Sequence, residues 1–104
     1  MKNTSLLQHL VLISFLDEST SKEIAAVKQA AEALKKIPGV TAALQFAENL
    51  SPEGLDIGYT HCLTMSFADE KVRDEVYLPH PLHQDFVAFF VPKTKAVLVF
   101  DFWK

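Results

Sequence analysis

The sequence predicts a single α+β domain over residues 1–104, in the order strand, helix, strand, strand, helix pair, strand. Three observations predict it: apolar alternation with a period of two in four stretches, one amphipathic stretch with helical spacing, and a proline-broken helical region before the last strand. A chain of 104 residues has room for one core.

The first strand is read over 6–16, where His9, Val11, Ile13 and Phe15 share one face and Leu10, Leu12 and Ser14 the other. Thr20 followed three residues later by Glu23 fits a capping box. Ile24, Val27, Ala31 and Leu34 then recur at helical spacing until Pro38 and Gly39 end the run. Alternation returns over 40–48, with Val40, Ala42, Leu44 and Phe46 on one face. The turn-rich NLSPEGLDIG joins this second strand to YTHCLTMSF, where Tyr59, His61, Leu63, Met65 and Phe67 alternate with Thr60, Cys62, Thr64 and Ser66, so a long hairpin is expected. Asp69 is placed to cap a short helix, DEKVRDEVYL, which Pro79 and Pro81 are expected to stop. LHQDFVAFF follows as a second helical piece with Leu82, Phe86, Phe89 and Phe90 on its apolar side. In the final strand Val97, Val99, Asp101 and Trp103 face one way, and Ala96, Leu98, Phe100 and Phe102 the other.

This order is the split βαβ arrangement of a ferredoxin-like fold with a four-stranded antiparallel sheet. Right-handed crossovers put strands one and three in the middle, strand four beside strand one, and strand two on the far edge. Both helices cover one face of the sheet. Strands one and four are apolar on both faces, so the second face needs a cover, and the economical cover is another copy of the chain in a twofold homodimer.

Composition excludes several functions. A net charge of −3 with scattered lysines and arginines leaves no basic stripe, so no nucleic-acid partner is expected. The apolar run near the N-terminus is broken by Gln8, His9 and Ser14, and no segment reaches the length of a membrane span. The lone Cys62 excludes an internal disulfide and a cysteine-rich zinc site, and small apolar packing towards a partner suits it. A cytoplasmic location is the expectation.

The stretch YLPHPLHQDF, residues 77–86, gathers proton-exchanging groups in a loop between helices: Tyr77, His80 and His83. Asp101 sits on an otherwise hydrophobic strand, where a carboxylate is costly to bury unless paired, and an imidazole is a natural partner. Two readings of His83 stand. It caps the second helical piece near its start, or it is a base whose tautomer Asp101 fixes. Tyr77 reads as an aromatic wedge or as an acid or oxyanion donor in the same cavity, and His80 as a shaper of the turn. His9 and His61 fall on neighbouring strands and read as core histidines or as ligand contacts. Phe86 reads as core or as an apolar pocket wall. The spacing of the four histidines matches no compact metal motif, so no metal is expected.

HLVLISF at 9–15, IPGV at 37–40, SPEG and GYTH within 51–61, YLPHPLHQDF at 77–86 and VFDFW at 99–103 together resemble the stress-responsive A/B barrel domain family, a group of dimeric α+β barrels. The resemblance implies a ferredoxin-like subunit and a homodimer whose sheets face each other. The family includes a plant polyketide cyclase that closes its substrate by aldol condensation. Carried onto the matching positions, the resemblance implies His83 as general base, Tyr77 as its assistant, Asp101 as the group that orients His83, and His9 and His61 in the pocket wall. It implies no cofactor and a small apolar or carbonyl-containing ligand. Pro79 departs from the cyclase pattern, which has an aliphatic residue there. A non-catalytic, ligand-binding or stress-related homodimer is the alternative, and a dimeric-barrel monooxygenase is a third reading.

Overall fold

The computed structural model describes residues 5–41 and 44–104. Strands β1 (Leu7–Phe15), β2 (Gln45–Glu48), β3 (His61–Phe67) and β4 (Thr94–Trp103) form one antiparallel sheet in the order β2-β3-β1-β4. The predicted ferredoxin-like topology is therefore the observed one. Alternation decides the faces: His9, Val11, Ile13 and Phe15 of β1 are buried beneath the helices, together with Leu63, Met65 and Phe67 of β3.

Helix α1 (Ser21–Ala31) starts where the capping box predicts. Glu23 N–H donates to Thr20 Oγ1 at 3.1 Å, and Thr20 N–H donates to Glu23 Oε1 at 3.1 Å. Val27 and Ala31 are buried, and a 3₁₀ turn, Glu32–Lys36, carries Leu34 into the same core. Strand β2 begins later than the 40–48 reading. Val40 N–H bonds to the Ile37 carbonyl in a turn, Thr41 N–H reaches the Ser66 carbonyl of β3 at 3.3 Å, and among the described residues the ladder with β3 runs over Gln45–Glu48. Ala42 lies outside the described residues.

Asp69 caps the next segment as expected, accepting from Val72 N–H at 2.9 Å. The chain then widens into a π-helical stretch, Val72–Tyr77, in which Leu78 N–H reaches back five residues to the Arg73 carbonyl at 2.9 Å. Helix α2 spans Pro81–Phe90. Pro81 opens this helix at its first position, where the missing N–H would be unpaired anyway, and does not only stop the one before. Phe86 and Phe90 of α2 stack at 4.7 Å and are buried. Phe89 turns outward instead, with Lys93 Nζ 3.9 Å from its ring centroid.

The outer sheet face stays apolar and open: Leu98, Phe100 and Phe102 of β4 are exposed, Phe100 to 58 %. No helix among the described residues is long and apolar enough to cross a membrane.

Gly39 shows how tightly the π-helical stretch is seated. Its φ of +88° lies in the left-handed region, and a Cβ there would collide with Val72 Cγ1. We expect Gly39→Ala to cost about 2 kcal/mol through overpacking and backbone strain. Adding Val72→Ala should recover only the steric part. Urea denaturation measures both, and an unchanged midpoint for Gly39→Ala would contradict this packing.

Candidate functional site

The site grows from a cross-strand pair. His9 and Asp101 stand opposite each other in the β1–β4 ladder, so both side chains leave the sheet on the helix side. His9 Nδ1–H donates to Asp101 Oδ1 at 2.7 Å. An ionised carboxylate only accepts, which puts the ring's proton on Nδ1 and the lone pair of the neutral imidazole on Nε2. Asp101 Oδ2 is taken by Arg73 Nη1–H at 3.0 Å, and Arg73 Nε–H also donates to Asp74 Oδ1 at 2.8 Å.

The expected His83–Asp101 contact is absent: His9 and Arg73 are the partners of the two Asp101 oxygens. His83 Nδ1–H donates instead to the Leu78 carbonyl at 2.9 Å. The prolines explain why that carbonyl is free. An uninterrupted helix would give it the Leu82 N–H, but the break lets His80 cap α2, and Leu82 N–H donates to His80 Nδ1 at 3.1 Å. The cap read for His83 thus belongs to His80, and the two imidazoles are held in opposite tautomers: Nε2–H in neutral His80, Nδ1–H in His83.

Tyr77 ends the π-helical stretch and is 2 % exposed. Its ring lies 4.4 Å from His83, 5.6 Å from His9 and 4.9 Å from Phe67, centroid to centroid. His9, Tyr77 and His83 line one cavity of about 310 Å³, walled by apolar side chains that include Phe86, Phe90 and Val97. Val99, 57 % exposed, also lines it and puts its mouth at the β4 edge. Among the described residues nothing hydrogen-bonds to the Tyr77 hydroxyl or to Nε2 of His9 or His83. Asp101 supports the cavity from behind His9 and does not line it.

His61 is not part of this cavity. Met65 stands opposite His9 and Ile13 opposite His61, so the antiparallel register places the two histidines four ladder positions apart, roughly 13 Å at the strand rise. His61 sits between Phe15 and Phe46 at 5.2 and 5.5 Å, with Thr60 Oγ1 2.8 Å from its Nδ1 and Glu48 Oε2 3.8 Å from its Nε2. It lines open hollows with Ile24 and Glu48. Cys62, on the opposite face, lies between Leu12 and Ala47 in the sheet. Among the described residues no three metal-ligating side chains gather to hold an ion.

Arg73 is the site residue that sequence reading missed. A carboxylate on an apolar strand calls for a cation as well as an imidazole, and Arg73 stands one helical turn before Tyr77, but scattered charges do not say which of them turns inward.

Burial holds the His9 pKa below its ordinary value, against the opposing pull of Asp101, while His83 and Arg73 add to the lowering. Burial, reinforced by Asp101, pushes the Tyr77 phenol well above its ordinary value, so it remains a hydroxyl donor at neutral pH. His61 is lowered by burial against Glu48, and the Arg73 hydrogen bond holds Asp74 below the usual carboxylate range. Because native His9 and His61 resist protonation more than the unfolded chain, whose histidines titrate near 6.5, their stabilising contribution is complete above that pH and is lost as pH falls through the lowered native values. We expect urea midpoints to fall between about pH 7 and about pH 5, and His9→Gln to lose part of that slope. Equal slopes in the two proteins would contradict the burial of a neutral His9.

The model of the stress-responsive A/B barrel domain matches residues 7–104. The stress-response A/B barrel domain-containing protein HS1 of Arabidopsis thaliana is 28% identical over 95 residues, 91% of this chain and 86% of that protein. Hydroxynitrile lyase from Passiflora edulis shares the fold at a TM-score of 0.86 with 18% identity, covering 95% of this chain and 93% of that one. A dimeric ferredoxin-like protein of unknown function from Thermobifida fusca superposes at 0.80 with 20% identity, over 94% and 90% of the two chains. A family model that spans the whole sheet and both helices settles the membership: this chain belongs to the stress-responsive A/B barrel domain family.

Proposed function

We propose that the protein is a cofactor-independent lyase or cyclase acting on a small carbonyl compound, with His83 as general base. One observation carries this reading: two imidazoles, each committed through Nδ1, line the same apolar cavity as a buried phenol. Nε2 of His83 takes a proton from carbon next to the carbonyl, the electron pair moves onto oxygen, and the Tyr77 hydroxyl donates to the developing oxyanion. Asp101, which the family pattern assigns to His83, here orients His9 as a second acceptor on the other side of Tyr77. Apolar walls keep water from the enolate. The similarity in fold to a hydroxynitrile lyase, and the aldol chemistry implied by the resemblance to a plant polyketide cyclase, both fit this reaction class.

A homodimer is part of the same proposal. The exposed Leu98, Phe100 and Phe102 give the outer sheet face an apolar surface suited to a second copy, and structural relatives of this chain are described as dimeric. Sedimentation as a monomer at every concentration would remove it.

The second reading, a ligand-binding homodimer without catalysis, draws on Arg73: the Asp101 charge is spent partly on a structural ion pair. Deuterium exchange separates the two. We expect the wild-type protein to speed exchange of protons next to the carbonyl in small neutral ketones, followed by NMR in D₂O. His83→Ala, folded and in the wild-type oligomeric state, should lose on the order of 100-fold of that rate, the scale of a general base. No acceleration, or an equal one in the variant, would sink the catalytic reading.

A further inference from the structure

The proposal concerns what the His9–Tyr77–His83 cavity admits, and it rests on reading that cavity as the ligand site. Its polar groups have a definite sense. His9 gives its Nδ1–H to Asp101 and His83 gives its Nδ1–H to the Leu78 carbonyl, so each neutral ring turns an acceptor, Nε2, to whatever else it meets. Tyr77, almost wholly buried, keeps a hydroxyl that none of the described residues engages. The cavity thus offers two acceptors and one donor among apolar walls.

Among the described residues no lysine or arginine lines it. Arg73 is the cation nearest in the network, and its guanidinium is spent on Asp101 and Asp74 behind His9. A ligand with a carboxylate in place of the ketone brings a full charge into the apolar cavity and sheds its water with no cation among the lining residues to replace it. A ligand bearing a hydroxyl and a carbonyl meets each group with its complement: hydroxyl hydrogen to imidazole nitrogen, and carbonyl oxygen to phenol hydrogen.

We propose that this cavity selects uncharged, hydroxyl-bearing carbonyl compounds and turns away the corresponding carboxylates. The selection is built into the backbone, because the Leu78 carbonyl and the Asp101 carboxylate fix which ring nitrogen is left to the ligand. It is a property of binding and does not depend on turnover.

Three probes of one size test it: 3-hydroxyacetophenone, acetophenone without the hydroxyl, and 3-hydroxybenzoate with a carboxylate in place of the ketone. Titrations of the full chain at about pH 7.5, above the ordinary histidine range, are read by calorimetry and by the amide shifts of residues around the cavity. We expect 3-hydroxyacetophenone to bind about tenfold or more tightly than either of the others, a difference of about 1.4 kcal/mol. His83→Leu should narrow the gap between 3-hydroxyacetophenone and acetophenone, and Tyr77→Phe should weaken both ketones. Two folded variants of opposite expectation keep the test informative if one fails to fold. Benzoate binding as tightly as the hydroxyketone, or no binding of any probe to the cavity, would overturn the inference. Selective binding without proton exchange would leave it standing and remove catalysis, whereas exchange activity beside tight benzoate binding would do the reverse.

Discussion

A single carboxylate on a hydrophobic strand constrains the helix side of this molecule. Asp101 is surrounded by apolar residues of β4, and a partly buried carboxylate persists only where charge and hydrogen bonds answer it. The answer comes from two directions: His9 directly across the ladder, and Arg73 from the π-helical stretch above. The first strand, the last strand and the segment between β3 and α2 are thereby tied at one point. Tyr77, one turn after Arg73, comes down over Phe67 and beside His9 as a consequence.

The second constraint is the proline pair. By breaking the helix between Tyr77 and Pro81, the chain leaves the Leu78 carbonyl without its helical donor and gives the α2 cap to His80. His83 then takes the orphan carbonyl through Nδ1. Two unrelated acceptors, one carboxylate and one backbone carbonyl, so impose the same tautomer on two imidazoles that share a cavity. A protonated phenol between them completes a site suited to proton transfer, which is why the lyase or cyclase reading is favoured over simple binding.

Much of this was legible in the sequence, for physical reasons. Period-two alternation fixes the faces of β1, β3 and β4, the Thr20 and Glu23 pair marks the start of α1, and the two-sided apolar character of β4 announces a face that needs covering. That His9, Tyr77 and His83 come together at one cavity agrees with the sequence reading, but the pairing of Asp101 does not. His83 and Asp101 look like partners when only residue types are known. The ladder register places His9 against Asp101 instead, and register depends on turn geometry that no single residue carries. The same register removes His61 from the cavity. Arg73 escaped notice because a π-helical turn leaves no signature in composition, and Pro81 was read as a stop because a proline at the first helical position looks the same in sequence as one that ends a helix.

The most direct test is the protonation pattern of the imidazole nitrogens, read by long-range proton–nitrogen correlation NMR near neutral pH with the histidines assigned by substitution. The hydrogen bonds to Asp101 and Leu78 require a proton on Nδ1 and none on Nε2 in both His9 and His83, with the reverse in His80. That pattern would place two free Nε2 lone pairs beside Tyr77. Protonated Nε2 in neutral His9 and His83 would contradict it, and with it both the base and the donor–acceptor sense of the cavity.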